Sequence, residues 1–334
     1  MRIDPNPIWY GHRHPLALML APLGWLYCGV ARLRRWAYRA GWLASVPLPV
    51  PVVVIGNLSV GGTGKTPTVL ALAELLRAHG HRPAILTRGY GARGETGPRR
   101  VPPDADPRRY GDEPVLLARR AHCPVVVGAD RVAAGRLALE RGDVDILLTD
   151  DGLQHYRLRR DLEIALVDGQ RGLGNRRCLP AGPLREPPRR LATVDEVLIH
   201  GEPTGQGAWM RLVPGDAIRL DDPSQTRPLA AFAGRRVLAV AAIGHPERFF
   251  TMLQGLGILV EGRAYPDHHP FTAADVASWP SGPVLMTEKD AVKCAPFAGA
   301  DHWLVPVEAV FDPAFVSRVL RRLETREIIR SEGA

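Results

Sequence analysis

Short runs of aliphatic residues alternate along the chain with segments in which aliphatic residues recur every three or four positions. The run Val52–Ile55 is followed by a segment in which Val69, Leu72, Ala73 and Leu76 share one helical face. Further strands are predicted at 84–87, 124–127, 144–149, 162–168 and 194–200. Strands that alternate with helices in this way predict an α/β fold.

A second series of strands and helices begins after a stretch rich in Gly, Pro, Asp and Gln. That stretch runs from Gly201 to Pro228. Beyond it we predict strands at 235–242, 258–261 and 284–286, and helices at 246–255 and 272–279. The chain therefore divides into an N-terminal helical segment (1–48), a larger α/β unit (49–205), a connection (206–230) and a smaller α/β unit (231–334).

Two stretches of the larger unit lack any regular pattern. Residues 92–109 are rich in Arg, Pro, Gly and Asp, which predicts a mobile surface loop. Residues 172–186 are rich in proline, and we expect them to be structureless, outside the core and functional.

The N-terminal segment carries an uncharged stretch, Pro15 to Val30, that leads into arginines interleaved with Trp36, Tyr38 and Trp42. The stretch is shorter than the roughly 20 residues that span a bilayer, and Pro22 interrupts it. Arginine beside aromatic residues favours a helix that lies in the interface of an anionic membrane. A buried core helix and a cleaved signal peptide are the alternatives.

The run Val52–Ile55 leads into a glycine-rich turn, and Lys65-Thr66-Pro67 opens the next helix. This order is that of a phosphate-binding loop (P-loop), in which backbone N–H groups surround phosphate oxygens. Ser59 stands where the GxxxxGK[ST] pattern has its first glycine, and an ordinary glycine-rich turn is the alternative. The sequence predicts that ATP or a similar triphosphate binds to Gly61, Gly62, Thr63, Gly64, Lys65 and Thr66.

The predicted strand at 144–149 ends in Asp150 and Asp151. Mg²⁺ on a triphosphate needs oxygen ligands, and two carboxylates at a strand tip can supply them opposite the Thr66 hydroxyl. A plain Asp-Gly turn is the other interpretation.

Two further clusters contain groups that can exchange protons. Asp112 and Glu113 precede a helical stretch, where acidic residues commonly serve only as capping groups. His268 and His269 lie beside Asp267 in a strand-end loop of the smaller unit, where a histidine is more often a surface or capping residue. These residues become candidates for catalysis only if both loops face the phosphate site.

The formal net charge of +8 favours an acidic partner, such as anionic lipid, a phosphorylated substrate or nucleic acid. The only lysines are Lys65, Lys289 and Lys293, which makes the last two candidates for sites that require an ammonium group. The four cysteines form no metal-binding pattern, and a reduced, cytoplasmic setting fits them best. No basic, aromatic patch typical of nucleic-acid binding is apparent.

The motifs GGTGKTP, RGYG, GDEP, DDGLQH, LPAGPLRE, DHH and TEKDAVK occur in this order after the basic N-terminal segment. Together they resemble the tetraacyldisaccharide 4'-kinase (lipid A 4'-kinase) family. The resemblance implies an enzyme that transfers the γ-phosphate of ATP to the 4'-hydroxyl of tetraacyldisaccharide 1-phosphate. It also implies a P-loop domain, a second α/β domain and a place at the cytoplasmic face of the inner membrane.

The resemblance also implies roles for individual residues. Lys65 and Thr66 would hold the triphosphate and Mg²⁺, with Asp150 and Asp151 on the metal side. Asp112 would be the catalytic base, paired with His268 in preference to His269. Glu186 would lie near the metal.

Two other functions remain open at this point. A membrane-targeted ATPase switch would share the phosphate loop and the basic helix, but it would use the second unit as a partner surface. A cytosolic small-molecule kinase would leave the N-terminal helix unexplained.

Overall fold

The computed structural model describes residues 6–11, 14–90, 97–201 and 207–332, with side chains to residue 326. Its helices are α1 (Asn6–Tyr10), α2 (Pro15–Met19), α3 (Ala21–Arg39), α4 (Lys65–Ala78), α5 (Pro107–Tyr110), α6 (Asp112–Arg120), α7 (Arg131–Leu139), α8 (Pro246–Gly255), α9 (Ala273–Ala277), α10 (Glu288–Cys294) and α11 (Pro313–Glu332). Short 3₁₀ turns lie at Pro188–Thr193, Leu229–Phe232 and Ala295–Phe297.

The strands form two sheets. In chain order they are β1 (Val52–Asn57), β2 (Pro83–Thr87), β3 (Arg99–Arg100), β4 (Val125–Val127), β5 (Ile146–Thr149), β6 (Leu162–Asp168), β7 (Glu196–His200), β8 (Ala208–Pro214), β9 (Ala217–Arg219), β10 (Thr226–Arg227), β11 (Arg236–Ala241), β12 (Leu259–Ala264), β13 (Val284–Thr287), β14 (His302–Val305) and β15 (Val307–Phe311).

The first sheet has the order β15-β8-β7-β6-β1-β5-β2-β4-β3, and only its edge strands, β15 and β3, run antiparallel to their neighbours. The second has the order β10-β9-β14-β13-β11-β12, in which β14, β13, β11 and β12 run parallel. The predicted α/β fold is therefore confirmed.

Parallel strands covered by helices on both faces are buried on both faces, which explains their continuous aliphatic runs. In β1, Val53 and Ile55 pack in one core while Val52 and Val54 pack in the core on the other face. The second sheet repeats this arrangement, because alternate residues of β11 enter two separate cores. The strand predicted at 162–168 coincides with β6, and the helix predicted at 246–255 coincides with α8.

The prediction for residues 172–186 is wrong in one respect, because much of this stretch is buried. It forms no helix and only isolated bridges, yet Cys178, Ala181 and Leu184 are buried. The loop can enter the core because its backbone groups are paired there. Val60 N–H donates to the Pro183 carbonyl, and Arg185 N–H donates to the Leu58 carbonyl.

The predicted connection at 206–230 is not a plain linker, since β8, β9 and β10 lie within it. In β8 only Ala208 and Met210 are fully buried, so the hydrophobic alternation is weak in the sequence. The chain also returns to the first sheet after the second, through β15 and α11. Phe315, Val319 and Leu323 of α11 pack in the core beside β1.

The predicted surface loop at 92–109 contains β3 and α5. Residues 92–96 of that loop, Gly91 of the RGYG motif and residues 202–206 lie outside the described part of the chain.

Candidate active site

A cleft of about 1340 Å³ lies between the two sheets. Its walls are the loops that follow β1, β2 and β5 of the first sheet and β11, β12 and β13 of the second. In open parallel sheets, ligands bind beyond the carboxyl ends of the strands. The motifs that the sequence analysis selected meet here because each one follows a strand.

The glycine-rich loop joins β1 to α4. Gly61 and Gly64 have φ values of +118° and +88°, which lie in the region that favours glycine. A side chain at Gly64 would also collide with Met210, since its Cβ would lie 2.7 Å from Cε. Gly244 of the second sheet approaches the same loop, where a Cβ would lie 3.0 Å from Gly62 N. The glycine-rich loop therefore lines the cleft at the point where the loop after β11 approaches it.

Lys65 is the first residue of α4, and its side chain is largely buried. Its Nζ donates to Asn57 Oδ1 at 3.2 Å and lies 3.8 Å from Asp151 Oδ1. Asp151 also receives hydrogen bonds from Arg185 Nη1, at 2.8 and 2.7 Å to its two oxygens. Burial alone would raise the pKa of Asp151, but Lys65 and Arg185 hold it below its ordinary value. Asp151 is therefore an anion paired with two cations.

Asp150, the neighbouring residue, is in a different environment. Its side chain is buried, and Oδ1 has no hydrogen-bond partner among the described residues. Burial, followed by the nearby charge of Glu113, raises the pKa of Asp150 to about 7. A buried carboxylate oxygen without a donor is a position that a cation would stabilise.

Arg131 lies behind Asp150 at the start of α7 and is 2% exposed. Its Nη2 donates to the Asp150 carbonyl at 3.1 Å. Burial lowers the pKa of Arg131 to about 10, so its guanidinium remains charged at neutral pH. This buried cation lines the cleft.

Glu186 lies on the same wall, but its carboxylate is occupied by protein donors. Gln154 Nε2 donates to one oxygen at 3.0 Å, and the Tyr156 hydroxyl donates to the other. No three His, Cys, Asp or Glu side chains converge as a metal-binding group within the described ranges. The predicted metal-side residues therefore line one wall without forming a cage of carboxylates.

His268, which lines the cleft, contacts the buried Asp112, although 156 positions separate them in the chain. Asp112 is the first residue of α6, and His268 belongs to the loop after β12. Nδ1 of His268 lies 3.1 and 3.0 Å from the two oxygens of Asp112. Burial would raise the pKa of Asp112, but the hydrogen bond from His268 and the charges of Lys289 and Lys293 hold it below its ordinary value.

His269 points elsewhere. Its Nε2 lies 3.3 Å from Asp275 Oδ2, and its ring packs against Tyr265 and Phe271. The structure thus places His268, and not its neighbour, at Asp112.

Lys289 of α10 joins the same cluster. Its Nζ donates to Glu113 Oε1 and to Asp267 Oδ1, at 3.1 Å each, and lies 3.3 Å from His268 Nε2. The ring of Tyr90 lies 5.2 Å from that of His268.

A second polar bridge joins the two sheets near the glycine-rich loop. Arg248 of α8 donates to Asp168 Oδ1 at 2.9 Å and lies 2.9 Å from Nδ1 of His200. That nitrogen also lies 3.1 Å from the Thr63 carbonyl. Burial and the charge of Arg248 lower the pKa of His200 to about 4, so His200 is neutral.

The N-terminal helices border the mouth of the cleft, which Tyr27, Val30, Ala31 and Arg34 of α3 help to line. Gly24 of α3 packs closely on the loop at 178–181. The large side chains of α2 and α3 are exposed, among them Leu18, Met19, Leu23, Trp25, Leu26, Val30, Leu33 and Trp36. The alternative of a buried core helix is therefore wrong. None of the described helices is both long and apolar enough to cross a membrane.

The residue pattern alone does not indicate several residues of the cleft, notably Arg131, Arg185 and Arg248. Arginine serves for nearly every cation of this chain, so no local signal distinguished them. Lys289 did carry a signal, because lysine is rare here.

Three comparisons agree on what the chain is similar to. The family model "LpxK: Tetraacyldisaccharide-1-P 4'-kinase" matches residues 16–324. The tetraacyldisaccharide 4'-kinase of Alkalilimnicola ehrlichii is 53% identical over 322 residues, which cover 94% of this chain and 92% of that protein. The same-named protein of Chromobacterium violaceum is 51% identical over 332 residues, covering 95% and 97%.

The similarity extends to a solved structure, the "apo" form of LpxK from Aquifex aeolicus in complex with ATP. It is 31% identical in sequence and has a TM-score of 0.75. The match covers 93% of this chain and 99% of that one.

Proposed function

Because the chain belongs to the tetraacyldisaccharide-1-P 4'-kinase family, we propose that it transfers the γ-phosphate of ATP to the 4'-hydroxyl of tetraacyldisaccharide 1-phosphate, a step of lipid A biosynthesis. The observation that carries this proposal is the pairing of the buried Asp112 with His268, which lines the cleft that also contains the glycine-rich loop. A nucleotide switch would need no such pair. A kinase needs a group that accepts the proton of the acceptor hydroxyl.

The loop before α4 acts as a P-loop in this proposal. The N-terminus of α4 and the backbone N–H groups of Gly61–Gly64 favour phosphate oxygens. Lys65 exchanges its contacts with Asn57 and Asp151 for the outer phosphates. The positive charge of Arg131 stabilises the negative charge that accumulates on this side of the cleft during phosphoryl transfer.

Mg²⁺ fits the residues present. Asp150 offers a buried oxygen that has no hydrogen-bond donor in the described part of the chain, and Thr66 offers a hydroxyl at the start of α4. Mg²⁺ is commonly held by one or two carboxylates together with substrate phosphates, so a complete protein cage is not required. Protein donors already occupy the carboxylates of Asp151 and Glu186. These two residues would therefore contribute to the metal region by orienting the residues around the ion. When bound, the ion would neutralise charge on the β- and γ-phosphates.

Asp112 is the base. Its lowered pKa keeps it anionic at neutral pH, and His268 holds both carboxylate oxygens in position. Since the two residues come from opposite walls, the catalytic pair is complete only when the walls are together. Such closure also excludes water, which limits hydrolysis of ATP.

The lipid acceptor enters from the membrane side. The exposed apolar residues of α2 and α3 would lie in the interface of the bilayer, and arginines of α3 would meet anionic headgroups. Because α3 borders the cleft, a bound sugar could remain near its acyl chains during transfer. In this proposal the protein works at the cytoplasmic face of the inner membrane, where ATP is available, and the exposed apolar side chains of α2 and α3 support that location.

Transfer of radiolabelled γ-phosphate from ATP to tetraacyldisaccharide 1-phosphate, in detergent with Mg²⁺, tests this function. The proposal predicts a labelled lipid from the native chain. If no lipid is labelled while membranes alone stimulate ATP hydrolysis, the chain is a membrane-targeted ATPase instead.

A further inference from the structure

Lys289 occupies a position in the cleft that the family assignment leaves unexplained. Its side chain is 14% exposed and has carboxylates on two sides, with Glu113 from the first sheet's wall and Asp267 from the second's. Burial would lower the pKa of Lys289, but Glu113, Asp112 and Asp267 raise it well above the ordinary value. Lys289 therefore remains an ammonium at any pH at which the enzyme works.

The distance between Lys289 and His268 relates to where the imidazole carries its proton. An ammonium has only donors, so at 3.3 Å it can hydrogen-bond to His268 Nε2 only if that nitrogen has a lone pair. A neutral imidazole without a proton on Nε2 carries it on Nδ1. That is the nitrogen that faces both oxygens of Asp112.

We propose that Lys289 is a positioning residue that keeps His268 neutral, with its proton on Nδ1, so that His268 orients Asp112 without adding a second positive charge beside the base. This inference rests on the proposed role of Asp112 as the base, and it adds Lys289 as the group that sets the protonation state of His268. During transfer the acceptor oxygen forms a bond to the γ-phosphorus while the bond from that phosphorus to the β-phosphate oxygen breaks and ADP leaves. Asp112 takes the proton of the acceptor hydroxyl, and His268 donates the same hydrogen bond before and after.

The charges around His268 explain why a lysine is needed. Asp112 faces the ring from α6 and Asp267 from its own loop, and the Tyr90 ring covers one side, while Glu113 is paired with Lys289. Without Lys289, the carboxylates of Asp112 and Asp267 would favour the imidazolium. Its hydrogen bond with Asp112 already raises the pKa of His268, with burial and then Lys289 opposing the rise. An imidazolium would weaken Asp112 as a base, because it stabilises the carboxylate.

Lys293 provides a matched control. It lies one helical turn further along α10, with Nζ 3.9 Å from Asp112 Oδ2, close to the 4.0 Å of Lys289. However, it is paired with Asp290 at 2.9 Å, and no contact with His268 occurs among the described residues. Loss of Lys293 therefore removes a charge beside Asp112 without removing the donor to Nε2.

The test is ¹⁵N NMR of the histidine side chains in the full-length chain without substrate, with the His268 signal assigned from His268→Gln. The native spectrum at pH 7.5 should show a neutral ring protonated on Nδ1. In Lys289→Met the titration midpoint of His268 should rise by about one pH unit or more. In Lys293→Met it should stay close to the native value.

Kinetics supply a second readout. In Lys289→Met the acidic limb of the pH profile of kcat/KM should move to higher pH, with the KM for ATP unchanged. Lys289→Arg, which keeps a donor and a charge, should restore part of the native profile.

A native His268 that is protonated on Nε2, or that remains an imidazolium at pH 7.5, would overturn the inference. So would an unchanged midpoint in Lys289→Met. If that variant does not fold, the native spectrum alone decides. The spectrum requires no turnover, so a chain that failed to phosphorylate the lipid would still give a result here.

Discussion

His268 Nδ1 lies 3.0 Å from Asp112 Oδ2, and this contact joins a loop of the second sheet to the first helical turn after Gly111 in the wall of the first. Asp112 is buried, while the His268 side chain remains 27% exposed toward the cleft. The buried Asp112 is thus held by His268, which belongs to a loop of the other sheet. Movement of one wall against the other would separate the base from its support.

Asp112→Asn should separate catalysis from nucleotide binding. Asparagine keeps the shape of the side chain but cannot accept the hydroxyl proton, so kcat should fall by about 10² to 10⁴-fold. The Kd for ATP should stay within about twofold of native, because no residue of the glycine-rich loop contacts Asp112 among the described contacts. Isothermal titration with ATP and a lipid phosphorylation assay measure the two quantities. A variant with near-native turnover would show that Asp112 is not the base.

Lys65→Met should weaken both binding and transfer. Lys65 is the cation at the start of α4, and its loss should raise the Kd for ATP and lower kcat/KM by about 10² to 10³-fold. Lys65→Arg should not restore activity, since a planar guanidinium does not fit a site built for an ammonium 3.2 Å from Asn57. Recovery of native kcat/KM in Lys65→Arg would contradict the proposed contact with the outer phosphates.

The double variant Trp25→Glu and Leu26→Glu should bind membranes less well. These side chains are 69% and 67% exposed on α3, and burial of each in a bilayer is worth about 2 kcal/mol. Co-sedimentation with phosphatidylglycerol vesicles should fall at least about tenfold. Leu259→Glu, which changes an exposed leucine on β12 of the second sheet, is the matched control and should bind as the native chain does. Equal loss in both would point to general unfolding and away from a membrane face on α3.

The protein should become less stable in acid because the buried His200 ring must then be protonated. Its pKa is lowered to about 4 by burial and by Arg248, so the folded state disfavours the charged ring. A histidine with a lowered folded pKa contributes stability above its unfolded pKa of about 6.5, and that stability is lost as pH falls toward 4. The free energy of unfolding should drop by up to about 3 kcal/mol over this range.

Chemical denaturation at several pH values measures this dependence in the native chain and in His200→Gln. The variant should show a shallower slope, whereas His79→Gln, at the exposed end of α4, should leave the slope unchanged. Equal slopes in the native chain and in His200→Gln would mean that other groups account for the acid lability.

The sequence pattern predicts those parts of the fold that depend on residues close together in the chain. Hydrophobic periodicity suffices to locate strand β6 and helix α8, and the glycines at 61, 62 and 64 suffice to locate the turn before α4. The loop at 172–186 was misjudged, because its burial depends on backbone hydrogen bonds to residues 58–60, more than a hundred positions away. The return of β15 to the first sheet is likewise a long-range pairing, with β8, that no window of sequence contains.

The candidate site also combines features that the local sequence predicts with features that depend on long-range packing. Asp112 and His268 could be chosen as candidates, but their contact across 156 positions follows from the packing of two sheets. Arg131 and Arg248 were missed because their roles come from burial and from charged neighbours, and neither is visible in an arginine-rich chain.

A double-variant cycle on Asp112 and His268 shows whether His268 acts through Asp112. kcat/KM for lipid phosphorylation would be measured for Asp112→Asn, His268→Gln and the pair, with His269→Gln as the matched control. The pair should be no worse than Asp112→Asn alone, because His268 acts only through Asp112, and His269→Gln should stay near native. Losses that multiply in the pair, or an equal loss in His269→Gln, would contradict this role of His268.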